Sequence, residues 1–185
     1  MALSLVTAPA VEPVSLAEAK LHLRVTGPDD DALISGLIPA ARDYCEAFTH
    51  RAIPLQTWDD KRDGFPDDGV IWLPKAPLVS VTSVTYIDPN GVTQTWSSTL
   101  YTVDAPVGPK ARAGCVVPNY SLSFPTTRDV INAVTIRFVA GYAAVPSLIV
   151  AALKEHVRAH YGRGADDRAE ILQWIDRTLW AFKSF

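Results

Sequence analysis

The sequence is short of the features that mark the common catalytic, membrane and nucleic-acid-binding classes. It has two cysteines, Cys45 and Cys115, and no CxxC pair. No disulfide framework follows from them, and both are expected to be reduced and at least partly buried, as in a cytosol. No apolar run reaches the roughly 18 residues that a membrane-spanning helix needs. The first residues lack the basic n-region of a secretory signal, and Ser4 and Thr7 interrupt their apolar run, so no signal is expected there. Charge of one sign is missing too. Seventeen Lys and Arg stand against 20 Asp and Glu, a net charge of −3, with no basic run. A dedicated nucleic-acid binder shows a basic stripe, so a passive surface past which DNA moves is what stays open.

Catalytic templates are absent as well. No serine sits in GxSxG, and no GxGxxG or GxxxxGK loop is present. Cys45 has no His partner on its own helical stretch, and an apolar stripe raises a thiol's pKa. Asp29 to Asp31, Asp59 with Asp60, and Asp67 with Asp68 read as caps and loop residues. One pattern competes. His156 and His160 share a helix face at i and i+4, as metal ligands do. They stand in EHxxxH, however, not HExxH, and a third ligand is not evident. A small metal-dependent hydrolase is therefore an alternative, while the main expectation is no catalytic residue, no metal and no cofactor.

With 48% hydrophobic residues over 185 positions the chain can bury a core. Its anchor is the stretch from Asp29 to Arg51. Leu33, Ile34, Leu37, Ile38, Ala41, Tyr44, Cys45 and Phe48 recur at the spacing of one apolar helical stripe. Asp29 heads this helix as a cap, beside Asp30 and Asp31. Pro39 predicts a bend, or a break into two shorter helices. Upstream, Ser15 and Glu18 form a capping box for a helix from Leu16 to Leu23, and residues 1 to 13 read as an extended arm.

From residue 52 to 145 the pattern is β. Strands are expected near 55–62, 70–73, 78–87, 92–96, 100–103, 110–117 and 133–139. The alternation in Leu78 to Ile87 slips, which predicts a bulge near Thr82. Asp88-Pro89-Asn90-Gly91 is a hairpin turn signal. Helices return at Ser147 to Tyr161, stopped by Gly162 and Gly164, and at Ile171 to Phe182, where Asp167 and Glu170 form a second capping pair. The expected class is α+β: a small helical bundle from N- and C-terminal helices, residues 1–51 and 146–185, with an inserted antiparallel β module at 52–145.

The aromatics carry the remaining information. Trp174, Trp180, Phe182 and Phe185 crowd the end of the chain. They either pack back on the bundle or dock on another protein, where such side chains make good anchors. In the docking case, removing residues 175–185 is expected to leave a folded protein. Trp58, Trp72 and Trp96 either fill the β core or form an exposed platform. The platform would make the chain a β-module binding protein of a virion or tail, recognising a glycan or a protein.

Three groups of segments carry a resemblance. They are Glu12 to Arg24, Asp30 to Ile34 and Ala40 to Thr49; then Gln56 to Trp58, Leu73 to Leu78 and Val81 to Asp88; then Ala140 to Tyr142 before Val145-Pro146. In this order they resemble the head–tail connector (adaptor) proteins of tailed bacteriophages and of gene transfer agents. The resemblance implies a homo-oligomeric ring, typically dodecameric, under the portal protein, joined below to the next connector, stopper or tail component. DNA passes through its centre without sequence-specific binding. It implies a virion protein assembled in the host cytoplasm, with no membrane association and no catalytic site. It also implies a C-terminal segment that reaches the portal, a role carried onto Trp174, Trp180, Phe182 and Phe185.

Overall fold

The computed structural model describes residues 1–162 and 167–184. Its elements run β1 (Ala2–Thr7), α1 (Leu16–Leu23), α2 (Asp31–Thr49), β2 (Gln56–Arg62), β3 (Ile71–Trp72), β4 (Leu78–Ile87), β5 (Thr93–Trp96), β6 (Tyr101–Asp104), β7 (Cys115–Pro118), β8 (Val134–Ala140), α3 (Ser147–Tyr161) and α4 (Arg168–Trp180). The fold is α+β. One unit comprises residues 9–54 and 142–184 and holds these four helices; the other comprises residues 1–8 and 55–141 and holds the strands.

In the helical unit the Ser15–Glu18 capping box forms. Ser15 is extended, with φ −76° and ψ 158°. Its N–H donates to the Glu18 carboxylate at 2.9 Å, and the Glu18 N–H donates to Ser15 Oγ at 3.2 Å. The Ser15 N–H and the Ser15 hydroxyl, which donates to the same carboxylate at 2.8 Å, hold the Glu18 carboxyl below its ordinary pKa. α2 runs through Pro39 as one helix. It buries Ile34, Ile38, Ala41 and Cys45 against Ile149, Leu153 and Val157 of α3 and Ile175 and Leu179 of α4. Each large apolar side chain so buried is worth roughly 1.5–3 kcal/mol.

Two expected caps do not form. Asp29 lies outside α2, whose N-cap position is Asp30, and Asp30 makes no side-chain cap bond. A capping side chain needs an extended backbone to fold back on the first turn, whereas Asp30 has φ −99° and ψ 5°. Asp30 instead accepts the Tyr161 hydroxyl at 2.5 Å, and Asp31 pairs with Lys20 at 2.5 Å. Asp167 sits at the N-cap of α4 with φ −91° and ψ −12°, again without a side-chain cap bond, so the Asp167–Glu170 pair fails for the same reason. The expected stop at Gly164 lies outside the described residues.

The β unit has a five-stranded antiparallel sheet, order β1-β2-β8-β4-β5, and a three-stranded one, order β3-β7-β6. β8 is central, and its Val134, Ile136, Phe138 and Ala140 are buried in strict alternation. β4 shifts register between Leu78 and Ser80 and again between Val81 and Ser83, the irregularity that its slipped alternation predicts. In the β4–β5 turn the Asp88 carboxylate accepts the Asn90 and Val92 N–H groups at 2.9 and 3.0 Å, and Gly91 takes φ 86°.

The two sheets approach closely at Gly114. A Cβ there would lie 2.6 Å from Leu78 Cβ and 2.8 Å from the Asp104 carbonyl oxygen. Arg62 ties the layers by donating to the buried Asp60 carboxylate at 2.9 Å and to the Trp72 carbonyl. Phe65, Tyr86, Trp96, Tyr101 and Phe124 form an aromatic cluster, with Phe65 and Phe124 stacked at 4.7 Å.

The arm expected at residues 1–13 is different. Ala2–Thr7 is a strand paired antiparallel with β2, and it belongs to the β unit. The changes of unit fall at 54/55 and 141/142, against the 51/52 and 145/146 expected from side-chain pattern. Strand pairing by the main chain leaves little trace in such a short, uncharged segment.

Candidate docking surfaces

α4 is built from Arg168-Ala169-Glu170-Ile171-Leu172-Gln173-Trp174-Ile175-Asp176-Arg177-Thr178-Leu179-Trp180. Ile175 and Leu179 are fully buried in the helical core. At roughly 100° per residue, Trp174 and Trp180 fall on the two flanks of that buried stripe. Trp174 is 44% exposed and Trp180 60% exposed. Trp174 borders a groove shared with Ile171, Glu170 and, from α3, Glu155 and Arg158. Trp180 lies beside Lys183, whose Nζ is 5.1 Å from its ring and 5.5 Å from that of Phe48.

The remaining aromatic of this group is placed differently. Phe182 is 2% exposed and joins the core. Its carbonyl accepts a bond from Arg51, a buried guanidinium that also donates to the Tyr142 hydroxyl at 3.1 Å. Ser184 N–H donates to the Thr49 carbonyl at 2.9 Å. The segment after α4 is thus tied across the end of α2. Phe185 lies outside the described residues. Cutting at residue 175 would remove Ile175, Leu179 and Phe182 from the core, so the expectation that residues 175–185 can be deleted without unfolding does not hold.

A second groove, adjoining the first, is lined by His22, Leu23, Arg24, Glu155, Arg158 and Tyr161. Glu155 and Arg158, bonded at 2.7 Å, form the ridge between the two grooves. The exposed Leu21 on α1 stands near by, in a depression with Glu18, His22 and Lys154. Sequence pattern did not single out this ridge, because Glu155 and Arg158 read as ordinary solvated helix residues.

His156 and His160 do share a face. Their rings stack at 4.2 Å, and His156 also packs on Tyr44 at 4.7 Å. Burial, then the charges of His160 and Arg168, push the His156 pKa down to about 4. His160 Nδ1 lies 2.9 Å from the His156 carbonyl oxygen. Among the described residues no group of three His, Cys, Asp or Glu could hold a metal ion, so the hydrolase alternative finds no third ligand. Cys45 and Cys115 are free and buried. Burial raises both thiols, Cys45 to about 12. No described helix is long and apolar enough to cross a membrane.

The three β-region tryptophans do not make one platform. Trp96 is buried in the aromatic cluster. Trp58 lies in β2 under Lys75, whose Nζ is 5.1 Å from its ring, and Trp72 lies in the other sheet beside Arg112.

The chain is an α+β subunit whose last helix leaves two tryptophans substantially exposed beside a groove. Residues 13–104 match the family of Phage gp6-like head–tail connector proteins, and the chain belongs to that connector family. It is a structural head–tail connector subunit. Its fold is that of chains in three solved gene transfer agent structures. One is from the neck of an empty particle computed with C6 symmetry, at TM-score 0.80 and 20% identity. Another is from the virion of a native particle, at TM-score 0.75 and 20% identity. The third is from the neck of a native particle computed with C12 symmetry, at TM-score 0.76 and 17% identity. Each similarity covers 100% of this chain and 96% of the other. No curated protein matches the chain in sequence.

Proposed function

We propose that the subunit forms a homo-oligomeric ring, a dodecamer, at the head–tail interface of a phage or gene transfer agent particle. The ring joins the portal protein above to the next connector, stopper or tail component below. DNA passes through its centre without sequence-specific contacts. The role is structural, not catalytic, and the protein belongs to the virion after assembly in the host cytoplasm. The neck of a similar native particle was computed with C12 symmetry, which supports the ring number. A cyclic ring needs two different surfaces per subunit that meet head to tail, and a channel for DNA should not hold phosphate tightly, in keeping with a net charge of −3.

The observation that carries the portal contact is α4. It commits Ile175 and Leu179 to its own core yet leaves Trp174 and Trp180 substantially exposed. Exposed tryptophans next to a groove are the anchors protein interfaces use. Trp174 and Trp180 are therefore assigned to the portal contact; Phe182, being core, acts by holding α4 in place. The test is to purify particles from producing cells and image their necks, with the composition read by mass spectrometry. Rings of this chain in contact with a portal protein are expected. Filled heads whose necks lack the chain would overturn the assignment.

A further inference from the structure

We infer that β1 is an exchangeable strand: in the assembled ring, Ala2–Thr7 of one subunit pairs with β2 of the neighbouring copy. This rests on the ring proposed above and adds how its subunits are fastened.

The argument begins with what holds β1 in place. It is the outer strand of the five-stranded sheet and, among the described residues, pairs with β2 alone. Five of its six residues are exposed, Leu5 at 47% and Val6 at 44%, and Leu3 is half-buried. Main-chain hydrogen bonds therefore do most of the holding. Such bonds do not depend on which copy supplies the strand, so exchange between identical chains reproduces them in full.

The connection on the C-terminal side of β1 is suited to exchange. Val14 is buried in the helical core and Glu12 is bonded to Arg42 at 2.9 Å, so the chain is anchored from Glu12 onward. Between strand and anchor lie Ala8, Pro9, Ala10 and Val11, with Val11 75% exposed. Four residues reach at most about 14 Å, enough to hand a strand to a subunit in direct contact but not to a distant one. A short, stiff hinge disfavours folding back on its own chain and so favours exchange. Proline supplies that stiffness.

The edges of the sheets differ in a way that fits. Proteins shield open edges by shortness, charge or proline. β3 has two residues and β6 four, with Asp104 paired to Arg112, and β5 is four residues long with threonines and a glutamine. β1 has six residues, Ala-Leu-Ser-Leu-Val-Thr, with neither charge nor proline. It is the long, unshielded edge, and its exposed Leu5 and Val6 are accounted for when a second subunit lies over them.

The test places cysteines at Ala2 and Lys61, which are paired Cα partners across β1 and β2. Directly opposed antiparallel residues lie about 4.5–5.5 Å apart at Cα, within disulfide range. The native cysteines are buried and do not compete. Particles carrying A2C/K61C are oxidised, and the chain is run on a non-reducing gel while their necks are imaged. Exchange predicts a ladder of covalent multimers that collapses on reduction, and no ladder from either single variant. Intact rings that yield only internally crosslinked monomer would overturn the exchange and leave the ring standing. Necks without rings would overturn both. Isolated A2C/K61C subunit, oxidised as a monomer before it is added to connector-free heads, provides a second readout. Exchange predicts at least a tenfold loss of joining, restored by a reductant; equal joining with and without reductant would overturn it.

Discussion

His156 shows how a residue can imitate chemistry while serving packing. It lies between the Tyr44 and His160 rings, and its pKa is pushed down to about 4 by burial, with help from the His160 and Arg168 charges. It is thus neutral in the folded chain down to about pH 4, whereas in the unfolded chain it takes a proton near 6.5. Between those values the unfolded state holds more protons, so stability falls as the pH drops from 6.5 to 4, by roughly 3 kcal/mol at most. H156F removes this contribution. Urea denaturation at pH 7 and at pH 4.5 should show a smaller loss for the variant than for the wild type; equal losses would mean the buried neutral imidazole is not the cause. Gly114 is a second single-residue case. A methyl there meets Leu78 Cβ at 2.6 Å and the Asp104 carbonyl at 2.8 Å. Neither can retreat without moving a strand, so G114A is expected to cost about 1–3 kcal/mol by overpacking. Its thermal midpoint should fall accordingly.

At the scale of elements the sequence was most legible where local chemistry decides. The Ser15–Glu18 box forms as read, and S15A should lose about 1 kcal/mol of stability, measured by denaturant midpoint, because the Glu18 N–H loses its acceptor. The long apolar stripe of α2, the two-residue alternation of β8 and the slip in β4 were equally plain, since each depends on side chains facing a core. The failures have a common physical origin. Asp29, Asp167 and Glu170 have the composition of caps, but capping is settled by the φ and ψ of the cap residue, which composition does not encode. β1 was missed because its pairing is by main chain and its side chains face solvent. The Glu155–Arg158 ridge was invisible because a solvated helix face and the wall of a groove have the same residue types. Phe182 stayed open between core and docking, and the resemblance assigned it to the portal contact, because its partners, Arg51 and the end of α2, are distant in sequence. R51M tests that last tie. It removes the Arg51 bonds to the Phe182 carbonyl and the Tyr142 hydroxyl, and a hydrogen bond from a charged group is worth about 1.5–3 kcal/mol. Hydrogen exchange at residues 181–184 should rise in the variant well above that of the α2–α3 core.

For the molecule as a whole, the proposed role separates stability from assembly, and Trp174 and Trp180 are where the two can be measured apart. Their neighbours Ile175, Leu179 and Phe182 are core, so shortening the chain would destroy the fold and say nothing about docking. Replacing the exposed rings alone avoids this. Surface substitutions away from special features change stability by about 0.5 kcal/mol or less. Because both indoles are partly packed, W174S/W180S is expected to cost slightly more, within about 1–2 kcal/mol. An interface anchor, by contrast, is worth about 2 kcal/mol or more on truncation, near 30-fold in affinity. The double variant should keep its circular-dichroism spectrum and most of its thermal midpoint, yet join portal-bearing heads to tails at least 30-fold less well. Lys183 sets the control, since K183A removes the cation beside Trp180 while leaving the ring, and should weaken joining far less. A W174S/W180S chain that joins heads normally would move the portal contact off α4. The remaining surfaces of the helical unit would then have to carry it, beginning with the groove on the other side of the Glu155–Arg158 ridge.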